Sequence, residues 1–174
     1  TLREIGAQNP SARLYGVELN EKAAEIAAPY ATILSMDIER LDPSQVAERF
    51  DYIVMGDVIE HLQNPWKAIE NMRELLAPGG EVIASIPNVA HISTFYGLLS
   101  GRWTYEDMGI LDRTHFRFFT KKEIIKLFQE AQFDIRDMRY VTVPCPDIGK
   151  RLREELLSLQ TISVDAEDLD AYQW

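Results

Sequence analysis

Asp57, Glu60 and His61 stand close together in the stretch FDYIVMGDVIEHL, and a second histidine, His115, lies in THFRFF. Imidazole titrates near neutral pH, which makes His61 and His115 the candidate catalytic bases for taking up a hydroxyl proton. A plainer reading exists for each. Glu60 and His61 also fit a solvated first helical turn, with Glu60 favoured there by the helix dipole. His115 and Arg117 also fit a structural role, their polar heads satisfied among aromatic neighbours.

The elements that must position these groups are legible around them. Tyr52 to Met55 is a strand-favouring run with almost no polar alternation, the pattern of a strand buried on both faces of a parallel sheet. Gly56 and Asp57 end it, so the strand delivers polar groups to its carboxyl end, the edge at which open α/β sheets bind ligands. Upstream, residues 1–8 read as the end of a helix and 13–19 as a strand. Asn20 is an N-cap for a helix over 21–28, and a further strand spans 31–36. A short turn or helix around 43–49 leads back to the central strand. Downstream, Asn64-Pro65 starts a helix to Leu76, Pro78-Gly79-Gly80 stops it, and residues 81–86 form the next buried strand. Residues 89–109 are apolar and aromatic without clean periodicity, a long connection of the kind that serves as a lid or binding segment. Thr120, with Glu123 three positions on, caps a helix over 121–131. An edge strand over 133–143, an amphipathic helix over 150–159, an acidic connection over 163–170 and the beginning of a strand at 171–174 complete the reading.

Strand and helix thus alternate, which predicts an α/β fold with a mostly parallel sheet and helices on both faces, in a single domain. Glu18, Asp37 and Asp57 each follow an apolar strand, and parallel alignment brings such acids to one rim. A carboxylate there accepts both hydrogen bonds of a ribose diol, and an acid beside an apolar residue, as Asp37 beside Ile38, accepts from an adenine amino group while packing the ring. Each acid alone also reads as a strand terminator or helix cap.

The 174 residues carry a formal net charge of -10, which argues against a broad nucleic-acid surface, since such binding draws on clustered Lys and Arg. No apolar run approaches the ~20 residues that span a bilayer. Cys145 is the single cysteine, so there is no disulfide framework, which fits a reducing, cytoplasmic setting; flanked by prolines, it has no basic partner in sequence to mark it as a nucleophile. Trp66, Trp103, Phe118 and Phe119 read as core rather than as a base-stacking platform.

The chain resembles class I S-adenosylmethionine-dependent methyltransferases through YGVELN, SMDIE, FDYIVMGDVIEHL, LLAPGGEVIASIPN and DRTHFRFFTKKEI, in that order. The resemblance implies a Rossmann-like fold and S-adenosyl-L-methionine as cofactor. By it, Glu18 holds the ribose hydroxyls, Asp37 and Ile38 bracket adenine, and Gly56, Asp57 and Val58 line the methionine arm. It implies direct displacement of the sulfonium methyl by a substrate nucleophile. The DRTHFRFFT segment and the IPN strand end resemble a branch that modifies glycans and small molecules, which implies a sugar or small-molecule hydroxyl as acceptor. In the family a first strand and a glycine-rich loop of G-x-G-x-G type precede the helix that residues 1–8 finish, and neither is in this sequence. The expectation is a piece cut at both ends, with weak cofactor binding and an unpaired sheet edge that favours homo-oligomers.

Two alternatives stand beside this reading. Asp57, Glu60, His61 and His115 resemble the two-acid, two-histidine metal site of small-RNA 2'-O-methyltransferases, with Asp57 in place of a longer Glu. A non-catalytic domain that retains the fold is the other. A nucleotide-dependent oxidoreductase would also use Glu18 but leaves DVIEHL and DRTHFRFFT without a role.

Overall fold

The computed structural model describes residues 2–143, 147–161 and 163–174, so Cys145 lies outside the described residues. The chain divides into two compact units, one running to Ala47 and the other from Glu48 to Trp174.

The first unit is built from α1 (Leu2–Gln8), β1 (Tyr15–Glu18), α2 (Glu21–Ala27) and β2 (Thr32–Ser35). Asn20 caps α2 as its sequence position predicts, its side chain accepting from the N–H groups of Lys22 and Ala23. β1 and β2 pair in parallel with Tyr15 opposite Thr32 and Glu18 opposite Ser35. The two strands are shorter than the sequence reading, because ladder pairing covers only these four positions. Asp37 follows β2 and caps a 3-10 turn, Ile38–Arg40.

The second unit carries β3 (Phe50–Gly56), α3 (Pro65–Leu75), β4 (Leu76–Ser85), α4 (Ile92–Leu99), α5 (Lys121–Glu130), α6 (Asp147–Ser158) and α7 (Ala166–Asp170). β3 and β4 run parallel, with Ile53 opposite Val82 and Gly56 opposite Ser85. The Pro78-Gly79-Gly80 turn lies within β4 and shifts its register against β3, with Gly79 at φ 81°, a left-handed angle that glycine adopts without strain. α3 begins where Asn64 accepts from the Lys67 N–H, and buries Ala68, Ile69, Met72 and Leu75 on the face that meets β4 and α5. α5 answers with Ile124, Leu127 and Phe128, and Thr120 caps it by accepting from the Glu123 N–H. Ile59, Ile86, Leu169 and Ala171 complete this core.

The structure corrects four expectations. β3 is not buried on both faces: Tyr52 and Val54 are exposed, as is Ile83 on β4, because among the described residues no element of the unit covers that side of the pair. Residues 133–143 do not form a regular edge strand; only Val141 is bridged, to Gln173, since the loose alternation there meets a partner at one position. The supposedly irregular segment 89–109 contains α4, whose apolar residues run too continuously to show a helical period. The acidic connection contains α7, with Asp165 accepting from the Glu167 N–H as its cap.

Residues 171–174 do pair as a strand begins to pair. Trp174 and Ile86 exchange two main-chain hydrogen bonds, the Asn88 N–H donates to the Tyr172 carbonyl, and Val141 bonds to Tyr172 and Gln173 from the other side. The fully buried Asn88 fastens this segment, donating from its amide to the carbonyls of Asp168 and Ala171 at 2.8 Å each.

Candidate active site

At the carboxyl end of β3 the backbone turns sharply. Asp57 has φ 52°, in the left-handed region that a non-glycine residue rarely occupies, a form of strain that concentrates at functional sites. Its N–H donates to the Ser85 carbonyl, and its carboxylate accepts from the Ser85 hydroxyl at 3.4 Å and from the Gln173 amide. Val58 opens the 3-10 turn Ile59–His61 without a side-chain cap.

Within that turn Glu60 is carried inward while His61 stays half-buried. Ile59 and Glu60 are both buried, so the solvated-turn reading of Glu60 is wrong. Neither carboxyl oxygen of Glu60 has a hydrogen-bond partner among the described residues. Burial pushes its pKa up to about 7, the Asp57 charge adding to the effect and His61 opposing it. The Glu60 carbonyl accepts from the N–H groups of both Phe116 and Arg117, at 2.9 and 3.1 Å, which draws the distant THFRFF segment onto the turn.

The two histidines meet there. Their ring centroids are 4.7 Å apart in an edge-to-face arrangement. His61 Nδ1 lies 3.2 Å from the Thr114 carbonyl and His115 Nδ1 lies 3.0 Å from the Ile110 carbonyl. A carbonyl only accepts, so each Nδ1 carries the proton and, in the neutral ring, each Nε2 keeps its lone pair. Asp112 shapes the loop between them, accepting from the Thr114 N–H and hydroxyl, bonds that hold its carboxyl below its ordinary pKa.

Glu60, His61 and His115 each offer a ligand atom within 4.8 Å of the other two. The orphaned, buried carboxyl oxygens of Glu60 and two oriented imidazoles form a donor set that fits a divalent cation. Asp57 is not in that cluster; Ser85 and Gln173 engage its carboxylate instead. The sequence offered no signal for Gln173, because its approach to Asp57 depends on the pairing of residues 171–174.

Of the remaining predicted binding residues, Glu18 ends β1 and Asp37 follows the adjoining parallel strand β2. Asp37 Oδ1 accepts from the Glu39 N–H at 2.9 Å, which is its capping role, while Glu18 Oε1 accepts at 2.8 Å from the N–H of Asn20, the N-cap of α2. Ile38 is half-buried beside Asp37. Trp66 and Trp103 are partly exposed rather than core; Arg117 lies over the Trp66 ring, and Trp103 packs edge-on against Phe118.

Residues 1–137 match the family model described as a methyltransferase domain. The chain belongs to that family. Among curated proteins it is similar to a ubiquinone biosynthesis O-methyltransferase of Cereibacter sphaeroides, 27% identical over 139 residues, covering 75% of this chain and 56% of the relative. A mitochondrial ubiquinone biosynthesis O-methyltransferase of Dictyostelium discoideum is 23% identical over 122 residues, covering 70% and 37%. The chain thus spans about half the length, or less, of these relatives. Among solved structures it is similar to the plantazolicin methyltransferase BpumL in complex with SAH and a pentazolic analogue. That match has a TM-score of 0.58 at 22% identity and covers 74% of this chain and 49% of the other. A likeness at this identity is a likeness of fold. It agrees with the Rossmann-like α/β class and with the parallel pairs β1–β2 and β3–β4 of this methyltransferase domain.

Proposed function

We propose that this chain is the catalytic part of an S-adenosyl-L-methionine-dependent methyltransferase that acts on a hydroxyl of a small-molecule acceptor. The observation that carries the choice of a hydroxyl is the cluster of Glu60, His61 and His115. A hydroxyl needs to lose a proton as it attacks the methyl group, and two imidazoles with Nε2 lone pairs beside a buried carboxyl provide acceptors for it. The ubiquinone biosynthesis O-methyltransferases similar to this chain are named for the same class of chemistry.

On this reading Glu18 holds the ribose hydroxyls of the cofactor, Asp37 and Ile38 bracket its adenine, and Gly56, Asp57 and Val58 line the methionine arm. Carboxylates ending adjoining strands are a donor set that suits the sugar diol and the adenine amino group. The cofactor supplies the sulfonium methyl. His61 and His115 orient the acceptor hydroxyl and take its proton at Nε2, while Glu60, Thr114 and Ile110 fix the two rings. A divalent cation held by Glu60, His61 and His115 would occupy those Nε2 lone pairs and, in place of the imidazole bases, lower the pKa of a hydroxyl placed beside it, whose proton would then pass to solvent. The net charge of -10 and the separation of Asp57 from the cluster favour a small molecule over an RNA acceptor.

Manganese titrated into the protein and followed by water-proton relaxation should bind saturably, and Glu60→Ala and His115→Ala should each weaken it at least tenfold. Methyl transfer from the radiolabelled donor should favour catechols over amines of the same shape. Equal use of amines, with relaxation indifferent to both substitutions, would overturn the reading.

A further inference from the structure

A cavity lies in the Glu48–Trp174 unit, separate in its residues from the Glu60 cluster. It is open, has a volume of about 310 Å³, and is walled by Ile92, Tyr140, Thr142 and Val143, with His91, Lys150, Arg153 and Asp170 as its polar lining. That is within the size range of small-ligand sites, and the mixture of an apolar wall with a few polar groups is their ordinary composition.

The polar groups are not equally available. His91 is buried, and its Nδ1 is engaged by the Ser93 hydroxyl at 2.8 Å and by the Ser93 N–H at 3.3 Å, as the cap of α4. A nitrogen that accepts from an N–H is unprotonated, so in the neutral ring the proton sits on Nε2, which has no partner among the described residues. Burial lowers the pKa of this imidazole, with Asp170 opposing, which agrees with a neutral ring. Arg153 spends Nε and Nη2 on a bidentate pair with Asp170, at 2.5 and 2.6 Å, and keeps the N–H groups of Nη1. Lys150, largely exposed, bonds among the described residues to Asp147 at 3.1 Å and keeps further donors. Both carboxylate oxygens of Asp170 are occupied by Arg153. The lining therefore has donors to spare from three residues while its one carboxylate is committed.

We infer that this cavity binds a small apolar carboxylate, its hydrocarbon body against Ile92, Tyr140 and Val143 and its carboxylate against His91, Lys150 and Arg153. Unpaired N–H groups on an apolar wall select an acceptor-rich head group, and an anion gains more from Lys and Arg donors than a neutral carbonyl does. Tyr172 packs edge-on against His91 with centroids 5.5 Å apart, and the next residue, Gln173, holds Asp57. The inference does not rest on the transfer reaction, because binding is read directly.

Benzoate, benzamide and benzylammonium serve as probes of one shape and three charges, with binding followed by amide chemical shifts of the isotope-labelled protein. Benzoate should shift Ile92, Thr142 and Val143 saturably, and benzamide should bind at least tenfold more weakly, with benzylammonium weaker still. Lys150→Gln, on an exposed side chain that leaves the fold intact, should weaken benzoate threefold or more and leave benzamide unchanged. Equal affinity for benzoate and benzamide, saturable shifts confined to other residues, or the absence of saturable benzoate binding would each overturn the inference.

Discussion

The side-chain amide of Gln173 donates to the Asp57 carboxylate, so the end of β3 is held by a residue from the far end of the chain. Asp57 is at the same time in a left-handed backbone conformation that an L-residue occupies at a cost. Side-chain contacts and backbone strain oppose each other at one position, and substitution separates them.

Replacing Asp57 with Ala removes the contacts to Gln173 and Ser85 but keeps the strain, whereas Gly removes both. Asp57→Gly should therefore be the more stable of the two variants, by about 1 kcal/mol. Both should lose cofactor affinity if the carboxylate serves binding. Urea unfolding followed by circular dichroism measures the first difference, and calorimetry with the cofactor product measures the second.

Glu60 makes stability depend on pH in a defined direction. Its pKa in the folded chain is raised from an ordinary 4.5 to about 7, so between those values the folded form retains a proton that the unfolded form has released. The stabilisation is full below about pH 4.5 and is lost as pH rises through 7. In the presence of a chelator, the wild type should lose roughly 2–3 kcal/mol more than Glu60→Gln between pH 5 and pH 8. Parallel pH profiles of the two proteins in urea unfolding would show that burial of this carboxyl has no such consequence.

Asn88→Ala should destabilise the second unit by roughly 2–4 kcal/mol, because the buried carbonyl of Ala171 and the part-buried carbonyl of Asp168 lose their donor and a cavity remains. Hydrogen exchange should locate the loss, with the amides of Tyr172 and Trp174 losing protection before those of α3. Uniform loss across the unit would mean that Asn88 supports the whole core rather than residues 168–174.

Local chemistry made much of this legible. Asn20, Asn64 and Thr120 announced their helices because a capping side chain acts within three residues, and the apolar spacing of Ile69, Met72 and Leu75 marked one face of α3. Glu60, His61 and His115 could be named together, with Asp57, through the resemblance to a two-acid, two-histidine metal site, and the structure groups the three without Asp57. What the sequence withheld depends on distant partners. The exposure of Tyr52 and Val54 follows from what does not cover β3, and the burial of Glu60 from a 3-10 turn that rotates it inward where a helix would have left it solvated. Residues 133–143 looked like a strand because alternation records a face, whereas a ladder requires a second chain segment in register, and only Val141 finds one. His91 and Gln173 carried no pattern at all, since each acquires its role from residues far away in sequence.

The carbonyl of Glu60, shared by the N–H groups of Phe116 and Arg117, belongs to the main chain, so the bond does not depend on side-chain chemistry at those three positions, proline at 116 or 117 excepted. The histidine pair is thus brought together by a main-chain clamp rather than by a side-chain contact. Over many generations the walls of such a centre can diverge to suit new acceptors while the two imidazoles stay within reach of each other.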